Sequence, residues 1–244
     1  MKTNTRMATG FTLVELLVVI AIIVTLAGVA TPVLLGQKKK GDHAKAVQNA
    51  KQVGYALFNF ENDFGRYPDD NTEDDLDTDA IVSAATGSNL YLSQLVAGGY
   101  VDQEAPFYCK TAFTIEPDND MSDANNLLAS GEVGFSYVMR SSGTGLNSSV
   151  NSAVPLLCAP SDGTGAGTFD RNVYNKRSVV LRIDMSVTDP RINDDGDITL
   201  RGGLGLLETG AGSVWDDSNI TAPELEEPAA DTGGSDTTTT TGTT

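Results

Sequence analysis

The chain is predicted to fold as an α+β protein, with a long N-terminal helix and a head built from a short helix and an antiparallel sheet. Three observations carry that expectation. A long apolar run follows a short leader, an amphipathic stripe follows at helical spacing, and past residue 100 short strand-like runs alternate with loops rich in Gly, Ser, Asn and Asp. At 244 residues the chain has room for one ordinary domain with appendages.

The apolar run extends from Phe11 to Leu35, FTLVELLVVIAIIVTLAGVATPVLL, broken only by Glu15 and a few small hydroxyl residues. As a helix rising about 1.5 Å per residue it is long enough to cross a hydrocarbon core of about 30 Å. A cleaved secretory signal has an apolar region of only about 7–15 residues and an A-x-A-like exit, and neither fits here. Residues 11–35 are therefore expected to span a bilayer. Glu15 is out of place in a plain anchor, because a carboxylate near a helix centre costs on the order of 2.5–3.5 kcal/mol, less near an end. It calls for a partner.

The segment Gly10-Phe11-Thr12-Leu13-Val14-Glu15-Leu16, behind a short leader carrying Lys2 and Arg6, resembles the processing signature of prepilins. The likeness covers about the first 35 residues and points to the type IV filament superfamily of pilins and pseudopilins. It implies that a prepilin peptidase removes residues 1–10 by cutting between Gly10 and Phe11, and that Phe11 is then N-methylated. It also implies that the apolar run is retained and that Glu15 pairs with the Phe11 ammonium of a neighbouring subunit. In a low-dielectric filament core an unpaired charge is costly, so that pair sets stagger as well as strength. Methylation leaves the amine charged. The resemblance further implies a pilin-like lollipop and a homopolymer extracted from the inner membrane by a platform protein and an assembly ATPase. The precursor would be membrane-bound with a periplasmic head, and the product a periplasmic or extracellular filament. Lys2 and Arg6 before the span against Lys38, Lys39 and Lys40 after it do not set the orientation by count. A cytoplasmic N-terminus follows from the resemblance.

Pro32 falls where related pilins carry a helix-distorting proline, and it invites a kink or local melting, with Gly28, Gly36 and Gly41 softening the same region. Residues 36–64 form the amphipathic second half of the helix. Val47, Ala50, Val53, Leu57, Phe60 and Phe64 make a stripe that should pack on the head, and His43 is expected to be solvated. Gly65-Arg66-Tyr67-Pro68 ends the helix.

The head is assigned to residues 65–220. The acidic run from Asp69 to Asp79 reads as a solvated loop, without the spacing of an EF-hand. A short helix is expected within Ala80–Val101, ending at Gly98-Gly99. Strands are expected at Phe107–Ile115, Val133–Met139, Val154–Leu157 and Ser178–Asp184, paired antiparallel. The stretch from Ser178 to Leu200 bears a fainter likeness to large prepilin-like proteins, and within it Asn193-Asp194-Asp195-Gly196-Asp197 reads first as a hairpin turn. Some pseudopilins bind calcium near the C-terminus, which makes Asp194, Asp195 and Asp197 candidate calcium ligands. Residues 221–244, poor in apolar side chains and rich in Pro, Glu, Gly and Thr, are expected to be a disordered acidic tail, with Thr237–Thr241 open to O-glycosylation.

Composition narrows the function. A net charge of −17, with 33 acidic against 16 basic residues, disfavours nucleic acid. One histidine and two distant cysteines leave no motif for zinc, redox or triad chemistry, so no enzymatic activity is expected. Apart from calcium no cofactor is expected. In an exported head Cys109 and Cys158 are expected to form a disulfide. The leading reading is a structural subunit of a type IV pilus-like filament. The alternative is a pseudopilin of a type II secretion piston; a minor tip subunit and a monomeric membrane-tethered binding module rank below it.

Overall fold

The computed structural model describes residues 11–76, 86–121, 127–200, 203–216, 220 and 223–230, excluding the side chains of 29–33 and 35. The leader with Gly10, the segment 77–85 and residues 231–244 with their threonine run lie outside the described residues. The chain divides into two compact units, Met1–Lys40 and Gly41–Thr244. Helix α1, Leu13–Phe64, contributes to both, and its helical backbone continues through Pro32.

From Leu13 to Gly28 α1 is apolar apart from Glu15 and Thr25, and its large side chains are exposed, from 46 % at Val19 to 79 % at Leu13. Among the described residues no helix is long and apolar enough to cross a membrane. The expected span over 11–35 includes residues 29–33 and 35, whose side chains lie outside the described residues.

In the second unit the stripe on α1 is buried as its spacing required. Ala46, Ala50, Val53, Leu57 and Phe60 are fully enclosed, and Val47 and Phe64 pack at the margin of the core. Gly54 allows close approach to the sheet: a Cβ there would sit 3.0 Å from Leu181 Cδ2. His43 is not solvated as expected. It is half-buried, its ring edge-on to Tyr174 with centroids 5.5 Å apart and its Nε2 3.4 Å from the Ser178 carbonyl. The helix stops at Gly65, whose positive φ of 74° closes the last turn with an N–H donated to Glu61 O at 2.7 Å.

The acidic run is more ordered than a solvated loop. Asp69 caps a short helix α2, Asp70–Asp75, by accepting from Asn71 N and Thr72 N, while Thr72 Oγ1 accepts from Asp69 N. Asp69 and Thr72 are buried. The expected next helix is α3, Ser88–Ala97, ending at Gly98 with Gly99 left-handed.

Among the described residues the sheet has five antiparallel strands in the order β4-β3-β2-β1-β5: β1 Ser136–Met139, β2 Pro155–Ala159, β3 Val179–Arg182, β4 Val187–Thr188 and β5 Glu224–Glu226. Every residue of β1 and β2 is buried, so these central strands read as continuous apolar runs and not as alternating ones. Three of the four expected strands form, each with shifted ends. The fourth, Phe107–Ile115, does not. A 3₁₀ turn occupies Ala105–Phe107, and beyond it Thr111 and Thr114 hydrogen-bond each other's backbone N–H through their hydroxyls, while Thr114 Oγ1 donates to Cys109 O. Local hydroxyl bonds there take the place of a ladder.

The expected disordered tail is corrected over residues 223–230. Strand β5 pairs with the free edge of β1, aligning Leu225 with Val138. Beyond it Ser88 N donates to Glu227 O, Ala229 N to Asn89 Oδ1 and Gly131 N to Ala229 O. Glu227 also accepts from Ser161 Oγ, Gly165 N and Gly167 N, fastening a glycine-rich loop. Main-chain pairing on an open edge needs little apolar surface, which is why composition did not reveal it.

One cost of this docking is electrostatic. Partial burial, then the nearby Glu224 and Asp70 carboxylates, push the Glu226 carboxyl above its ordinary value of 4.5. A raised native value favours the folded state below pH 4.5, and that contribution is lost as the pH climbs through the native value. Glu226→Gln is therefore expected to stabilise the protein at pH 7 and to have no effect below pH 4.5. Urea melts at both pH values test this; a loss of stability at pH 7 would contradict it.

Candidate functional site

The start of α1 gathers the residues singled out by the sequence. Phe11 is 74 % exposed and precedes the helix. Thr12 is the residue before Leu13, and Glu15 stands three residues on in the first turn. Glu15 Oε2 accepts from Thr12 N at 2.9 Å and from Thr12 Oγ1 at 2.8 Å, while Glu15 N donates to Thr12 Oγ1 at 3.2 Å. This is a reciprocal capping box, which satisfies two backbone donors that a helix start leaves open.

Thr12 joins the site through this box, and T-x-x-E ahead of an apolar run is its sequence signature. The consequence is a second role for Glu15. Its carboxylate sits at the positive end of the helix dipole and fixes the first turn from within the chain. A terminal ammonium on Phe11 would face that same positive end, where the Glu15 charge offsets it. Past Glu15, the apolar surface is far larger than the few hundred Å² a monomeric soluble protein usually exposes, and surfaces of that kind are buried against lipid or protein.

The other expected site residues are not arranged as anticipated. Cys109 and Cys158 are both free thiols and both buried, which corrects the expected disulfide. Cys109 Sγ donates to Gly134 O at 2.9 Å, and Gly134 has no room for a side chain because a Cβ would clash with Cys109 O and Sγ. Cys158 lies in β2 between Ser136 and Val180. Burial pushes the Cys109 thiol up to about 12 and the Cys158 thiol higher still, so neither is a ready thiolate.

Asp194, Asp195 and Asp197 form a turn and do not converge on a common point. Asn193 Oδ1 accepts from Asp195 N and Asp197 N, Asn193 Nδ2 donates to Asp197 Oδ2, and Asp194 pairs with Arg171. Gly196, at φ 92°, supplies the left-handed residue, and Ile192 bridges Ile198 across the hairpin. The turn reading describes this geometry.

Comparison with known proteins bears on the same N-terminal segment. Residues 5–31 match the family described as the prokaryotic N-terminal methylation motif. The chain is 41 % identical over 83 residues to type II secretion system core protein G of Aeromonas hydrophila, covering 34 % of this chain and 55 % of that one. It is 38 % identical over 92 residues to the protein of that name from Klebsiella pneumoniae, covering 38 % and 62 %. For the Escherichia coli protein the figures are 44 % over 62 residues, covering 25 % and 43 %. The chain thus spans about half the length of these relatives, and no solved structure matches it. Motif and relatives agree: the chain carries the prepilin-type N-terminal methylation motif of the pilin-like and pseudopilin superfamily.

Proposed function

We propose that the chain is a structural subunit of the pseudopilin kind, processed at Gly10-Phe11, held in the inner membrane through residues 11–35 and assembled through α1. The observation that carries this reading is the start of α1, Leu13–Gly28, exposed and apolar but for Thr25 and a single carboxylate, Glu15, in its first turn. Lipid covers such a surface before assembly and neighbouring α1 helices cover it afterwards, with Glu15 meeting the Phe11 amine of the next subunit. The relatives named as core protein G of type II secretion favour the piston over the surface pilus, reversing the order in which sequence alone ranked them. The partners are then other copies of the chain, a prepilin peptidase and the platform protein and ATPase of a secretion system. The role is mechanical.

Two measurements check the reading. Peptide mass spectrometry of assembled protein is expected to recover an N-terminus at Phe11 bearing one methyl group. A retained leader, or a terminus beyond Leu35, counts against processing. Mechanical shearing should leave the chain with the cell envelope; abundant sheared fibres built from it would restore the pilus reading.

A further inference from the structure

Three carboxylates from separate loop segments meet in the second unit, away from the turn at 193–197. Glu104, Asp118 and Glu132 each place one oxygen within 4.8 Å of the other two. Glu104 is 1 % and Glu132 4 % exposed, while Asp118 opens to solvent. Backbone donors position all three. Glu104 Oε2 accepts from Asn119 N at 2.7 Å, Glu132 Oε2 from Ala129 N at 2.7 Å and Asp118 Oδ1 from Asp120 N at 2.8 Å.

A second, independent feature points to a ligand. Glu104 Oε1 is buried without any hydrogen-bond partner. A buried polar atom left unsatisfied is costly, and more so on a carboxylate beside two others. The ion pairs Arg66–Asp69, Arg171–Asp194 and Arg177–Asp189 involve none of these three carboxylates. Positive charge at this cluster would relieve both the unsatisfied oxygen and the mutual repulsion.

We propose that Glu104, Asp118 and Glu132 bind a divalent cation, and that the cation is calcium. The donors are oxygens alone, which suits a hard ion and not zinc. Calcium–oxygen bonds of about 2.3–2.6 Å let two oxygens on one ion stand up to about 5 Å apart, whereas magnesium at about 2.0–2.1 Å requires a tighter set. Exposed Asp118 provides the entry side. Bound there, the ion ties together the segment before the 3₁₀ turn, the 118–120 loop and the approach to β1. It thereby stabilises the face on which Asn49 of α1 donates to Ala105 O and Tyr108 O. The inference does not depend on the filament reading.

The test uses the full chain purified in detergent, melted in EDTA, in millimolar calcium chloride and in millimolar magnesium chloride. Calcium at about 100-fold over its dissociation constant is expected to raise the melting temperature by roughly 5–10 °C, with magnesium giving much less. Glu104→Gln should melt no lower than the parent in EDTA, because it removes like-charge repulsion, and should lose the calcium shift. Asp118→Asn, at an exposed position, should lose most of the shift without affecting the fold. Asp194→Asn and Asp197→Asn should keep the full shift. The proposal is overturned if the parent does not respond to calcium, if Glu104→Gln or Asp118→Asn responds like the parent, or if the shift is lost with Asp194 or Asp197.

Discussion

Glu15→Gln is expected to stop assembly while leaving membrane insertion, leader cleavage and the fold of the second unit intact. The capping geometry makes this substitution a clean probe. Glutamine at that position still accepts from Thr12 N, since Glu and Gln both serve in a capping box, so the first turn of α1 is kept and only the charge is lost. Under the filament reading the ammonium of a neighbouring Phe11 is then buried without its counter-charge, a penalty of about 3–5 kcal/mol in a dry core. Repeated at every subunit contact, a loss of that size removes filaments altogether. Glu15→Val deletes both the charge and the cap. It makes insertion easier but frees the backbone donor at Thr12, for a further cost of roughly 1 kcal/mol in helix stability. The comparison separates the two roles. If Gln assembles at the native level and Val does not, capping is the function of Glu15; if both assemble with normal cleavage, Glu15 sets no register at all.

Removing β5 is expected to destabilise the second unit strongly. A chain ending at Ile220 loses the pairing of Glu224–Glu226 with β1, the docking of Ser88 and Gly131 on the residues behind it, and the Glu227 carboxylate that holds the Ser161–Gly167 loop. Each neutral bond contributes about 0.5–1.5 kcal/mol net and those to a charged group about 1.5–3, offset by the entropy of ordering eight residues. A deficit of about 3 kcal/mol or more is expected relative to a chain ending at Ala230, or roughly 6–12 °C in melting temperature for a unit of this size. Thermal melts of the two truncations decide it, and equal melting would return 223–230 to the status of a tail. Glu227→Ala offers a point test, because it strands Gly165 N, Gly167 N and Ser161 Oγ together.

The regular parts of the fold were legible because their signals are local. Three- and four-residue spacing from Ala50 through Val53 and Leu57 to Phe60 marked the buried face of α1, Gly65 and Gly98 marked helix ends, and the apolar runs at β1, β2 and β3 marked the centre of the sheet. Phe107–Ile115 looked equally strand-like and failed, since two threonines satisfied its backbone from within. Residues 224–226 looked like solvent-exposed chain and succeeded, since an open strand edge recruits main chain and is indifferent to side-chain composition.

At the functional end the division is similar. The Gly10-Phe11 junction, the placement of Glu15 and the length of the apolar run are properties of consecutive residues, so the sequence alone determined the superfamily signature, and the family match at residues 5–31 agrees with it. The meeting of Glu104 with Asp118 and Glu132 depends on segments 14 residues apart in each step being folded against one another, which no spacing rule encodes. The fates of Cys109 and Cys158 were likewise decided in three dimensions. Two lone cysteines in a chain read as exported suggest a bond, but tertiary packing gives the Cys109 thiol a carbonyl acceptor and the Cys158 thiol a place within the buried sheet, and burial keeps both protonated. Residue type and spacing determine what a short stretch of chain can do; only the packed structure decides which distant groups share a place, because burial and charge proximity arise between segments and not along them.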